Sequence, residues 1–297
     1  MRRSSPVQTS LVPFQRRRVT AILGLTILVA AVPLAAEVRS GSFDSRALSQ
    51  RVGYVVDLPP SYDDSPKRYP VVYALHGLFE GPGFWERRGL ARELARLRSE
   101  GAVPDLVVVA VDGDNSFFVN GPAGRYEDLL TQDLIAHVEA TWRVVPGRKG
   151  RALLGVSMGG YAALRIAFTH PNLFVAVATH SAMLLEGPPS TAQGAGRWHM
   201  QAFHRAFGQP IDRALWDAND PLLLARTADA ATTPALSMDC GAEDRYGLAR
   251  GHRALARVLD ERGVPYTLDL PPGDHGYEFV RARLPVSLPF LATALQD

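Results

Sequence analysis

A single cysteine, Cys240, rules out an intrachain disulfide. It is not a strong candidate for a thiol nucleophile either. It falls in the apolar run Ala235-Leu236-Ser237-Met238-Asp239-Cys240-Gly241, where cysteine acts as a small buried hydrophobe. No His/Cys pair has the spacing of metal ligands, so neither a metal nor any other cofactor is expected. Internal repeats and low-complexity blocks are missing. So is a large excess of charge: the formal net charge is +2, yet the first 36 residues hold five Arg and no acid, leaving the remainder at −3. The basic balance is a property of the leader and gives no reason to expect a nucleic-acid partner. The apolar run Ala21 to Val32 is also shorter than the roughly 20 residues that span a bilayer.

That run instead has the layout of an export signal. Arg16-Arg17-Arg18 precede it, and Leu34-Ala35-Ala36 follow as a cleavage site. Leu34 is larger than the small residue wanted three back from the cut, so residues 1–36 read as a signal peptide or an uncleaved membrane anchor. The arginines also permit a twin-arginine route. No cysteine follows the apolar core, which argues against a thioether-linked lipid anchor. The expected location is exported, periplasmic or extracellular, with membrane contact limited to the leader. The remaining chain, residues 40–297, is long enough for one large α/β domain, and 46% hydrophobic residues is ordinary for a globular protein.

Along that domain, strand and helix patterns alternate. Gly53 to Leu58 reads as a strand ended by Pro59-Pro60 and the polar turn Ser61 to Lys67. Val71 to Leu75 is a second, and Leu106 to Val111 is a β-branched run suited to a strand buried on both faces. Leu90 to Leu97 reads as a helix. Leu129 to Trp142 reads as another, with Leu130, Leu134, Val138 and Trp142 at helical spacing. Arg151 to Val156 is a strand leading into a helix, Gly160 to Phe168. Tyr266 to Leu270 is a late strand, and Leu284 to Leu295 reads as a closing helix after Pro285. This order predicts an α/β fold with a mostly parallel central sheet and helices on both faces.

Gly155-Val156-Ser157-Met158-Gly159 lies between one of those strands and its helix. A serine at a sharp strand-to-helix turn is the arrangement of a nucleophile elbow. Its flanking glycines let the turn close, and the helix N-terminus points free N–H groups at the reacting oxygen. In such a fold the acid and then the histidine follow the serine in sequence. Two downstream strands end in suitable loops, Ala242-Glu243-Asp244 and Pro271 to Gly276, both opening on the carboxyl edge of a parallel sheet. Asp244 is the preferred acid and His275 the base. Asp239, Glu243 and Asp274 stay open as rivals to Asp244. Of the other histidines, His180 ends a strand, His199 and His204 lie in a polar helical stretch, and His252 is read as facing out of a helix. The expected oxyanion donors are the N–H of Met158 and, after the strand Val71 to Leu75, that of Leu78, with Phe79 the alternative.

The chain resembles the esterase D branch of the α/β-hydrolases. The resemblance rests on an ordered set of pieces: Val55 to Tyr62, Tyr69 to Gly77, Tyr126-Glu127-Asp128, Gly155 to Tyr161, His170 to Phe174, Asp239 to Asp244 and Asp274 to Phe279. That branch includes S-formylglutathione hydrolases, feruloyl and acetyl-xylan esterases, and mycobacterial mycolyltransferases. The resemblance implies the α/β-hydrolase fold and the triad Ser157, Asp244 and His275, acting on a small-molecule or polysaccharide-linked ester. Transfer of the acyl group to a sugar or lipid hydroxyl is the alternative to hydrolysis. A binding domain without catalysis is disfavoured, because all three triad residue types stand at the expected positions.

Two segments are expected to shape the pocket. One is Asp112 to Arg125, whose Asn115-Ser116-Phe117-Phe118 is read as lining. The other is residues 185–227, where Trp198, Phe203, Phe207 and Trp216 form a wall or, for most of them, pack onto the sheet. Glu127 is expected as a buried structural carboxylate.

Overall fold

A computed structural model describes residues 37–190 and 197–296 together with Met1. The leader reading for residues 1–36 lies outside the described residues, as does the side chain of Trp198.

Eight strands form one sheet in the order β1-β2-β4-β3-β7-β8-β9-β10. They are β1 (Glu37–Ser45), β2 (Gln50–Leu58), β3 (Val71–Leu75), β4 (Val107–Val111), β7 (Arg151–Val156), β8 (Ala176–His180), β9 (Ala235–Asp239) and β10 (Tyr266–Asp269). A separate two-stranded ribbon joins β5 (Asn120–Gly121) to β6 (Gly124–Arg125). β1 and β2 pair antiparallel with each other, as do β2 and β4; every pairing from β4 to β10 is parallel. β1 is an addition to the strands read from sequence. It is a polar edge strand, Glu-Val-Arg-Ser-Gly-Ser-Phe-Asp-Ser, with only one face against the body of the fold and hence no strong apolar signal.

The helices are α1 (Phe84–Arg87), α2 (Leu90–Ser99), α3 (Tyr126–Asp128), α4 (Ile135–Thr141), α5 (Met158–Thr169), α6 (Arg197–Phe207), α7 (Arg213–Asp217), α8 (Pro221–Leu224), α9 (Leu248–Arg262) and α10 (Tyr277–Ala294). Because side chains alternate along a strand, each central strand feeds two cores. Val72, Ala74, Val108, Ala110, Ala152 and Leu154 meet Leu90, Leu94, Leu284, Leu288 and Leu291 on one face. Val71, Tyr73, Val107, Val109 and Leu153 meet Leu134, Leu164, Ile166, Leu255 and Leu259 on the other. The fold is therefore the expected sheet with helices on both sides.

Three local readings need correction. The closing helix does not wait for Pro285: α10 starts at Tyr277 and runs through Pro285 and Pro289. Burial of Phe279, Val280, Leu284, Leu288 and Leu291 outweighs the backbone bonds lost at the prolines. The stretch from Leu129 opens as a π-turn over Leu129–Leu134 before α4, and the helix stops at Thr141, leaving Trp142 extended. His252 does not face out. It is fully buried, on the same face of α9 as Leu248, Leu255 and Leu259, and burial pushes its pKa down.

Among the described residues no helix is long and apolar enough to cross a membrane.

Candidate active site

Ser157 stands between β7 and α5 with φ 54° and ψ −114°, a conformation a non-glycine residue holds at a cost of about 1–3 kcal/mol. The surroundings impose it. A Cβ on Gly155 would collide with Gly159 O, and one on Gly159 with Leu75 O, so the turn closes only because both are glycine. Ser157 N–H donates to His180 O at 3.0 Å, and Ser157 O accepts from Tyr161 N at 2.9 Å and Met183 N at 3.0 Å. These bonds tie the elbow to β8, the loop after it and α5.

Asp244 and His275 arrive on two loops stitched together. Ala242 N–H donates to Pro271 O at 2.8 Å, Glu243 N–H to Gly273 O at 3.0 Å, and Gly273 N–H to Glu243 Oε2 at 2.6 Å. Arg245 N–H donates to Asp274 Oδ1 at 2.8 Å, and the two side chains form an ion pair. That pair holds the exposed Asp274 carboxyl well below the usual range. Glu243 and Asp274, open as alternatives from sequence, are thus engaged in holding the loops. Asp239, the third, is buried between His180, whose Nδ1 lies 3.0 Å from both its oxygens, and Arg283 at 3.2 Å.

Asp244 is the carboxylate that meets His275. His275 Nδ1–H donates to Asp244 Oδ2 at 2.8 Å, Tyr246 N–H donates to Oδ1 at 2.9 Å, and Cys240 Sγ lies 3.5 Å from Oδ2. Burial by itself would raise the Asp244 pKa, but these bonds, that from His275 foremost, hold it below its ordinary value. Cys240 is buried one residue past β9; burial and the Asp244 charge push its thiol well up, which suits an inert thiol rather than a nucleophile.

Ser157 and His275 line one cavity of about 230 Å³ with Gly77, Leu78 and the rings of Phe79, Phe84, His199, Tyr246 and Tyr277. The Ser157 hydroxyl makes no hydrogen bond to His275 here; such contacts often tighten only when substrate binds. A larger cleft of about 630 Å³, between residues 213–226 and α9, contains none of these groups.

Met158 is the first residue of α5, where an N–H has no partner within the helix. Leu78 follows Gly77, whose added Cβ would sit 3.5 Å from Ser157 Cβ, so this loop abuts Ser157. Phe79 N–H is already donated to Asn115 Oδ1 at 2.7 Å, which leaves Leu78 the freer of the two candidate donors. His76 sets the loop. It is fully buried, accepting from Gly113 N–H at Nε2 (3.0 Å) and donating from Nδ1 to Gly77 O (2.8 Å), with burial lowering its pKa.

The aromatic lining differs from the sequence reading. Phe117 and Phe118 are fully buried and do not line the cavity. Phe117 stacks on Phe203 at 4.8 Å, and Phe207 packs on Trp216 at 5.0 Å, so these rings belong to the core. The rings that do meet the site were not singled out by sequence, apart from Phe79. Tyr246 lies edge-on to His275 at 4.8 Å, His199 to Tyr246 at 5.2 Å, and Phe79 to His199 at 6.0 Å. His199 sits in a polar helical stretch whose pattern carries no sign of which turn faces a site.

Glu127 is a hub behind the elbow. It accepts from Arg165 Nη1 at 2.8 Å and His170 Nε2 at 2.5 Å. Arg165, on α5, is fully buried and also donates to Phe118 O and Asn219 Oδ1, while Tyr161 O–H donates to Asn219 O. The 185–227 segment is thereby fastened to the helix that follows Ser157.

A family model described as "Putative esterase" matches residues 45–291. Among curated proteins, Esterase Rv1288 of Mycobacterium tuberculosis is 25% identical, the match covering 78% of this chain and 54% of that protein. The chain thus spans about half the length of the curated relatives it matches. Among solved structures, a ferulic acid esterase superposes with a TM-score of 0.74 at 24% identity, covering 88% of this chain and 99% of that one. An S-formylglutathione hydrolase from Agrobacterium tumefaciens gives 0.71 at 23% identity, covering 88% and 96%. At these identities the two structures establish the fold.

Proposed function

Because the chain belongs to the esterase family matched over residues 45–291, we propose that it is an exported serine esterase cleaving carboxylic esters through Ser157, His275 and Asp244. The observation that carries this reading is the 2.8 Å bond from His275 to Asp244 beside a strained Ser157, with Ser157 and His275 opening on one cavity. His275 Nε2 takes the hydroxyl proton as Ser157 Oγ attacks the ester carbonyl. The N–H groups of Met158 and Leu78 receive the tetrahedral oxyanion; loss of one such donor costs roughly 100- to 1000-fold in rate. Collapse of that intermediate expels the alcohol, which takes the proton from His275 and leaves an acyl group on Ser157. Water, deprotonated by His275, then releases the acid and restores the serine. Asp244 holds the imidazole tautomer and stabilises the imidazolium throughout.

The leader at residues 1–36 directs the enzyme out of the cytoplasm, towards a polysaccharide-linked ester, a siderophore ester or a cell-envelope acyl group. If a sugar or lipid hydroxyl takes the place of that water, the same site is an acyltransferase. The rings of Phe79 and Tyr246, 54% and 46% exposed at the cavity, are where such an acceptor would rest.

The test is turnover of 4-nitrophenyl esters from acetate to palmitate, with and without a sugar acceptor, and with Ser157→Ala alongside. Ser157-dependent release of nitrophenol supports the assignment, and acyl-sugar product would move it to acyl transfer. Equal turnover by the Ser157→Ala protein would remove Ser157 from the mechanism. Recovery of all the activity from the cytoplasm would count against export.

A further inference from the structure

We propose that the cavity at Ser157 takes esters bearing an anionic group, a carboxylate or phosphate, which Arg88 binds. This rests on the serine-esterase reading above. Among the described residues Arg88 is the only Lys or Arg lining that cavity. It lies between α1 and α2, just before Gly89, which takes the left-handed conformation at φ 85°. Its backbone carbonyl accepts from the Tyr277 hydroxyl, and its guanidinium lies 4.6 Å from the Tyr277 ring centre and 5.7 Å from that of Phe84. The two rings thus favour one direction of the side chain, which lowers the entropy lost when a ligand binds it.

Arg88 is only loosely paired. The carboxylate beside it, Glu80, accepts from Arg87 at 2.8 Å and from Arg88 only at 3.4 Å. Glu80 lines the cavity too, but Arg87, outside the lining, holds its carboxylate more closely, so most donors of Arg88 stay uncommitted. Arg88 Nε is shielded from solvent and has no hydrogen-bond partner. Phe79, His199 and Tyr246 also line the cavity, rings suited to an apolar body. A neutral ester leaves the free donors of Arg88 to water, whereas a carboxylate or phosphate supplies charge-assisted acceptors. The cavity of about 230 Å³ limits the group to a small acid.

The experiment compares kcat/KM within two pairs of esters, using the full chain. The 4-nitrophenyl monoester of glutaric acid against its neutral methyl ester places the charge on the acyl side. 4-Acetoxybenzoate against 4-acetoxybenzamide places it on the alcohol side. In one pair the anion is expected to be favoured about tenfold or more, the range of a charge-assisted hydrogen bond. Added salt should shrink that preference, because Arg88 is partly exposed. Arg88→Gln should bring the ratio close to one, Arg88→Lys should keep part of it, and Glu80→Gln should raise it. Labelling of Ser157 by a fluorophosphonate shows that each variant remains folded and active. Ser157-dependent turnover with equal rates in both pairs would overturn the role of Arg88 and leave the esterase reading standing. A preference unchanged in Arg88→Gln would do the same. Failure of all four esters, with no Ser157 labelling, would overturn the esterase reading itself and this inference with it.

Discussion

Replacing Glu127 by Gln removes the carboxylate that faces Arg165 and His170 and keeps its shape. Burial acts to raise the Glu127 pKa, but the bond from His170 and the charge of Arg165 win and hold it at about 2, against 4.5 for a free side chain. A gap of that size corresponds to about 3.4 kcal/mol if none of it is screened. The carboxylate keeps 18% exposure, so solvent screening trims this to roughly 2–3 kcal/mol. The sign follows from the direction. A carboxyl whose folded pKa is depressed contributes its full stability above the unfolded value, and loses it as pH falls through 4.5 towards about 2. At pH 5.5 the wild-type protein should therefore exceed Glu127→Gln by roughly 2–3 kcal/mol, and at pH 3 by only about 1 kcal/mol. Both conditions lie on the acid side of the free imidazole range, so titration of unfolded histidines does not enter the difference. Urea denaturation of both proteins at the two pH values, compared at equal slope, reads the gap directly. A gap that stays constant within about 0.5 kcal/mol would mean that Glu127 contributes a neutral hydrogen bond and no charge. A gap that widens at pH 3 would reverse the reasoning.

Asp57 should behave in the opposite sense. It is buried on β2 with Oδ1 unpartnered, and burial raises its pKa to about 6 against the opposing charge of Arg98. Its ionisation therefore weakens the fold as pH rises from 3.8 through about 6. Asp57→Asn should raise stability at pH 7.5 by about 1–3 kcal/mol and leave it unchanged at pH 3.5, as read by urea titration at each pH. A loss at both would mean that the amide finds no better surroundings than the carboxylate. At the site, Asp244→Asn should lower kcat on a 4-nitrophenyl ester by about 10⁴-fold, because an amide no longer enforces the Nδ1–H tautomer of His275. A fall of less than tenfold would show that His275 does not depend on that carboxylate.

What the sequence made legible was the part fixed by local sterics. The limits of β7, Arg151–Val156, are those read from its apolar run, and Gly155 and Gly159 stand where any side chain would strike backbone. Other features depend on what packs from far away in the chain. Pro285 reads as a boundary because a lone helix does break there, yet α10 is held by strands of the sheet and by α2. Phe117 and Phe118 look like pocket residues because they follow a strand end; both have positive φ and are buried in the core, Phe117 against Phe203 and Tyr161 and Phe118 against His76. His252 was within reach of sequence reasoning, since its spacing from Leu248, Leu255 and Leu259 puts it on the apolar face of α9. The pocket rings were not: Tyr246 and His199 come from separate segments, and only the fold brings them into contact with each other, with His275 and with Phe79.

The hardest distinction concerns Asp239, because the fold contains a second chain of the same three residue types. Ser287 Oγ lies 3.1 Å from His180 Nε2, and His180 Nδ1 lies 3.0 Å from Asp239. By residue type and distance this matches a catalytic array. Its surroundings decide otherwise. Ser287 and His180 are 3% and 0% exposed, Ser287 is inside α10, and Asp239 also pairs with Arg283, so no ester carbonyl can approach that hydroxyl. The chain instead ties α10 to the ends of β8 and β9. His180 O in turn accepts the Ser157 N–H, and α10 begins two residues after His275. The buried array therefore braces both sides of the open one. Residue type is common to the two sets; an opening on a cavity is what separates Ser157 from the buried Ser287.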